Sequence, residues 1–168
     1  MDRVNAGIVC DRGARVLTHR VFGGRSNETD ALVDYIADQP NKGDIWLSRG
    51  VGTLQDGLAP FVDGGIGTDK AFLADPQRIV GKEGGDKAFM SCSQAKGSGF
   101  QQPVMFNIYC PDGVKMTFAE PYSHFKGGNE AEMLLQAGSR FVITKVDTKS
   151  SRGHTYVDMV LTGQYPNR

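Results

Sequence analysis

What the chain lacks narrows it first. It has no excess of either charge, since its Lys and Arg total 19 and its Asp and Glu total 19. No global field therefore draws it to DNA, RNA or an anionic membrane, although a local basic patch stays open. It has no apolar run approaching the length of a transmembrane span. Its opening residues, Met1-Asp2-Arg3-Val4-Asn5, contain no apolar core of a signal peptide. Any carriage to another compartment or another cell is thus expected to come from outside these residues. Cysteine is scarce: Cys10, Cys92 and Cys110 cannot all pair within the chain, and their spacing is not that of metal ligands. Reduced thiols and a cytosolic place of action fit best. Neither an internal repeat nor a low-complexity tail is present.

What is there describes one domain. A chain of 168 residues is long enough to bury a core. Glycine, at 22 residues, is well above its usual share of about 7%, so turns and close backbone approaches are frequent. Residues 1–43 read as a lead-in with weak strand signals and one helix over about 30–38. That helix would be capped by Asn27 or Thr29, striped by Leu32, Val33 and Ile36, and stopped at Pro40. A strand is expected over Ile45–Val51, then short helical pieces near 53–61 and 68–73, then a turn-rich passage over 76–86. Further strands are expected over 87–95, 104–110, 114–118, 132–135, 140–146 and 155–161, with Pro111-Asp112-Gly113 as a hairpin turn. Helices early and short strands late indicate an α+β fold of two packed, mainly antiparallel sheets.

Three places on these strands carry chemistry. Arg49 ends the first strand on its Leu47 side. A guanidinium there needs an anionic or carbonyl partner, and its planar fork suits phosphate oxygens. Gly50 beside it lets a ligand come close. A rim arginine paired with an aspartate is the plainer alternative. In Phe89-Met90-Ser91-Cys92-Ser93, alternation sets Phe89, Ser91 and Ser93 on one face. Two hydroxyls beside a ring can bind a sugar edge and stack a heterocycle, though a solvated face is commoner. Cys92, on the other face, reads as a small core residue. Finally, Glu130-Ala131-Glu132 opens an apolar, strand-like run, with the two carboxylates two residues apart and aimed to one face. Like charges so placed repel, and two solvated glutamates are the ordinary reading when the pair is taken alone.

In order, the arginine at a strand end, the aromatic-Xaa-Ser-Xaa-Ser strand and the Glu-Xaa-Glu strand resemble the arginine/serine/glutamate class of mono-ADP-ribosyltransferases, which includes bacterial toxins and phage-borne enzymes. The likeness continues through Glu130-Ala131-Glu132-Met133-Leu134-Leu135 and Gly138-Ser139-Arg140-Phe141-Val142-Ile143 and covers roughly residues 44–162. The family's middle motif usually reads Ser-Thr-Ser, where this chain has Ser91-Cys92-Ser93.

The resemblance implies a catalytic core over 44–162, with its sheets forming a cleft for NAD as co-substrate and with no metal. Arg49, beside Gly50, would hold the pyrophosphate or adjoining ribose. Ser91 would bind the nicotinamide ribose and position Glu132, supported by Ser93, with Phe89 beside them. Glu132 would be the catalytic glutamate, and Glu130 would face the acceptor. A glutamate there resembles the arginine-modifying branch. The loop Gly97–Gln102 would contact phosphate and nicotinamide. Tyr122, Phe125 and Asn129 would lie in the target-recognition loop. A target protein is the implied partner, acting in the cytosol of a target cell, and an immunity protein is implied if the chain is a toxin. Nucleic acid as acceptor, with Lys82, Lys87, Lys96 and Lys126 near the mouth, plain NAD hydrolysis, and a non-enzymatic β-sandwich binding module are the alternatives.

Overall fold

The computed structural model describes residues 28–94, 101–119, 131–149 and 153–164. Helix α1 (Glu28–Ala37) leads in. It begins at Glu28, so Thr29 lies within it and not at its cap, while Asn27 is outside the described residues. The apolar spacing decides its orientation: Leu32 and Ile36 are buried with Phe89, Ala119 and Leu134 in a small cluster. Strand β1 (Ile45–Val51) follows. Next come a π-helical turn (Leu54–Leu58), a 3-10 turn (Ala59–Phe61), α2 (Asp69–Ala74) and a second 3-10 turn (Pro76–Ile79). Thr53 and Thr68 cap the first turn and α2 by accepting from the amides of Asp56 and Ala71. The remaining strands are β2 (Glu83–Gly85), β3 (Met90–Gln94), β4 (Val104–Cys110), β5 (Met116–Phe118), β6 (Glu132–Leu135), β7 (Arg140–Asp147) and β8 (Thr155–Gly163).

Hydrogen bonding joins all of them in one eight-stranded run, in the order β2-β7-β8-β4-β1-β3-β6-β5. Only β4 and β8 pair in parallel; the other neighbours are antiparallel. The run cannot be flat. β2 and β3 stand five steps apart, about 24 Å at the usual strand spacing. The chain from Gly85 to Met90 reaches at most about 18 Å. The sheet therefore bends into two layers, as expected, but the layers share a ladder. Among the described residues, β1 and β3 pair at Leu47 with Gln94 and at Ser48 with Ser93.

Alternation explains the core. The inner faces supply Leu47, Met90, Cys92, Phe106, Ile108, Leu135, Phe141, Ile143, Val157 and Met159 to one large cluster. The outer face carries their odd-spaced neighbours, with α1 covering the β3–β6 end. β2 was hidden from sequence by its two glycines. It exists because Gly84 lies against the backbone of the 3-10 turn, where an added Cβ would meet Phe61 O at 1.4 Å. Tyr109 O–H donates to the Asp44 carboxylate, which ties β4 to the turn before β1 and raises the phenol's pKa. Among the described residues, no helix is long and apolar enough to cross a membrane.

Candidate active site

The β1–β3 ladder is where the candidate residues meet. Beyond Ser48 and Ser93 the two strands no longer pair, and the Arg49 side chain bridges them. Its Nη1 donates to the Ser91 carbonyl at 3.1 Å. Arg49 is half-buried, with a carbonyl partner, as its position at the strand end required. On the other side of β3, Ser93 lies opposite Glu132 in the β3–β6 ladder. Residues directly opposite share a face, so Ser91, Ser93 and Glu132 all present to the outer face. Ser91 Oγ donates to Glu132 Oε1 at 2.6 Å. That is the short distance of a hydroxyl bonded to an ionised carboxylate. Arg49, Ser91 and Glu132, drawn from three strands, thus form one connected group: guanidinium to the Ser91 backbone, and the Ser91 hydroxyl to the carboxylate.

Other expectations change. Glu132 is the first residue of β6, and Ala131 before it has φ +42°. A left-handed residue interrupts strand alternation, so β6 begins at Glu132. Glu130 itself lies outside the described residues, as do Tyr122, Phe125 and Asn129, Lys96 and Lys126, and positions 97–100 of the expected phosphate loop. Phe89, just before β3, is 8% exposed and packs in the cluster beneath α1. Cys92 and Cys110 are buried. Burial pushes the Cys110 thiol up to about 12, which makes it a poor nucleophile. Among the described residues, no three His, Cys, Asp or Glu side chains group as a metal site requires.

Sequence reasoning passed over Ser48. It is fully buried and faces Ser93 across the ladder. A lone serine in Ile-Trp-Leu-Ser-Arg-Gly-Val carries no signal until the register is known.

Comparison with known proteins decides the family. The model of the ADP-ribosyltransferase exoenzyme family matches residues 53–163. The chain belongs to that family. Among solved structures, the C3 exoenzyme of Clostridium limosum is similar at TM-score 0.66 and 19% identity, covering 90% of this chain and 85% of the other. A C3 ADP-ribosyltransferase from Clostridium botulinum gives TM-score 0.66 and 15% identity, over 95% and 81% of the two chains. The C3larvin toxin, an ADP-ribosyltransferase from Paenibacillus larvae, gives 0.62 and 16%, over 90% and 80%. At these identities the structural likeness speaks for the fold, and it agrees with the α+β architecture above. No match emerges among curated protein sequences. As a member of the ADP-ribosyltransferase exoenzymes, the chain has its Arg49–Ser91–Glu132 group within or just before the matched span.

Proposed function

We propose that this chain transfers ADP-ribose from NAD to an arginine side chain of a target protein and releases nicotinamide. The observation that carries the reading is the Ser91–Glu132 contact at 2.6 Å, tied through Ser91 to the Arg49 guanidinium. In this reading Arg49, with Gly50 beside it, engages the pyrophosphate, since a bidentate fork matches phosphate oxygens. Ser91 holds one oxygen of Glu132 and thereby fixes the carboxylate; Ser93 flanks it on the same strand.

Breaking the bond between ribose C1′ and the nicotinamide nitrogen sends the electron pair to nicotinamide and builds positive charge on the ribose. A carboxylate fixed in place stabilises that charge more in the transition state than in the ground state. The acceptor guanidinium then attacks C1′. With a free pKa above 12 it needs a base to take its proton as the bond forms, and Glu130 is assigned that part. Tyr122, Phe125 and Asn129 are assigned to target recognition. Residues 44–162 are taken as the catalytic core of a single domain. The place of action is the cytosol of a target cell, reached as part of a larger protein; if the chain is a toxin, an immunity protein is its partner.

Labelled NAD incubated with the protein and a cell lysate tests this, followed by mass spectrometry of the modified species. Glu132→Ala is expected to abolish NAD turnover, and Glu130→Ala to keep NAD hydrolysis but lose transfer. Undiminished labelling by both variants would sink the assignment. Label removed by nuclease and not by protease would move the acceptor to nucleic acid.

A further inference from the structure

A fully buried glutamine, Gln136, follows the last residue of β6. A buried amide destabilises a fold unless its polar groups are bonded, and this residue has all of them engaged. Its backbone N–H donates to the Lys115 carbonyl at 3.2 Å, and its carbonyl accepts from Ser139 Oγ at 2.6 Å. Those two bonds fix the backbone to the sheet. In the side chain, Oε1 accepts from the Ala137 amide at 3.0 Å, which orients the amide plane. Nε2 is thereby aimed out of the turn and donates to the carbonyl of Val33 in α1 at 2.7 Å. Gln136 is thus an arm, rooted in the sheet at one end and holding the helix at the other.

The helix depends on such ties. At 10 residues α1 is shorter than the roughly 12–15 that a helix needs to be even marginal alone in water. It stands by what it packs on, which is Phe89, Ala119 and Leu134 through Leu32 and Ile36. Two of those residues border the candidate site. Leu134 lies opposite Ser91 in the β3–β6 ladder, and two residues beyond Glu132 on the same face. Ala119 donates its amide to the Glu132 carbonyl at 2.8 Å. The helix therefore covers residues on which the Ser91–Glu132 hydrogen bond is built, and that bond is itself part-buried. A hydrogen bond shielded by protein is stronger than one for which water competes. We infer that Gln136 is a positioning residue. By holding α1 at Val33 it keeps Leu134 and Ala119 covered, and so keeps water from loosening Glu132 from Ser91. The inference rests on the reading of Glu132 as the group that drives NAD cleavage.

The test is nicotinamide release against NAD concentration in Gln136→Leu, which removes the amide and keeps most of the bulk, with amide hydrogen exchange measured in parallel. Gln136→Leu is expected to lower kcat by about 3- to 10-fold and to change KM for NAD less than about twofold, since the bond to Glu132 is weakened and not removed. Amides of α1 should exchange at least about tenfold faster, while those of β4 and β8 keep the parent rate, as for a local opening. The same substitution in Ser91→Ala, where the bond is already gone, should lower kcat by less than about twofold further. A merely structural contribution would lower kcat equally in both backgrounds. Equal loss in the two backgrounds therefore overturns the inference, as does parent-like kcat in Gln136→Leu or unchanged exchange in α1. Should Gln136→Leu fail to fold, Leu32→Ala loosens the same helix from its own side and carries the same expectations. An unchanged kcat there overturns the inference. If the parent protein itself releases no nicotinamide, the functional reading fails first and takes this inference with it. Parent turnover with an insensitive Gln136→Leu refutes the arm alone.

Discussion

Removing the Ser91 hydroxyl isolates one contact. In Ser91→Ala the backbone carbonyl that receives Arg49 remains, as does the pairing of position 91 with Leu134. Only the bond from Ser91 Oγ to Glu132 Oε1, at 2.6 Å, is lost. A hydrogen bond to a charged group contributes roughly 1.5–3 kcal/mol. Each 1.4 kcal/mol is tenfold in rate, so full loss in the transition state lowers kcat by roughly 10- to 150-fold. Both side chains are half-buried, and water can partly replace the hydroxyl. The lower part of that range, about 10- to 30-fold, is therefore the expected result, with KM for NAD changed by less than about threefold. Continuous measurement of nicotinamide release, with circular dichroism to verify folding, provides the assay. A double-mutant cycle sharpens it: Ser91→Ala added to Glu132→Gln should cost almost nothing further, since neighbours that act through one another are not additive. A kcat within twofold of the parent, or a loss that appears wholly in KM, would refute the claim that Ser91 acts by fixing Glu132.

Other outcomes follow from the same geometry. Arg49→Lys exchanges a planar fork for a point charge and is expected to raise KM for NAD about tenfold, read from initial rates. Gly84→Ala forces a Cβ into Phe61 O and Val62 N; overpacking against backbone should destabilise by about 3 kcal/mol, lowering the melting temperature by roughly 6–12 °C. Burial raises the Cys110 thiol to about 12, above its value of about 8.5 in an unfolded chain. Between those values the folded state keeps a proton that the unfolded state has lost, so stability falls as pH rises above about 8.5, by up to about 1.4 kcal/mol per unit. Denaturant titrations from pH 8 to 10.5 should show that slope diminished in Cys110→Ala.

The fold was legible where periodicity is strong. β1, β4 and the starts of β6, β7 and β8 coincide with their apolar alternation, and α1 with its Leu32–Ile36 stripe. β2 was not legible, because Glu-Gly-Gly has no alternation and owes its place to contact with a turn far from it in the chain. The site was legible in part. Arg49, Ser91 and Glu132 could be picked out because strand ends and alternation fix where each side chain points. Their mutual contacts depend on the neighbour order β1-β3-β6, which no local pattern reveals. The packing of Phe89 was hidden for a related reason: only the docking of α1 shows that this part of the face is covered. Nothing in Glu-Ala-Glu signals that Ala131 adopts a positive φ.

The central claim is that Glu132, held by Ser91, drives cleavage of NAD. The most direct measurement is nicotinamide release by the parent protein and by Glu132→Gln at saturating NAD, with equal melting temperatures verifying that both are folded. Turnover is predicted in the parent, with a loss of roughly a hundredfold or more in Glu132→Gln, the size expected when an electrostatic stabiliser of the transition state is removed. Turnover by Glu132→Gln within a few-fold of the parent would contradict it.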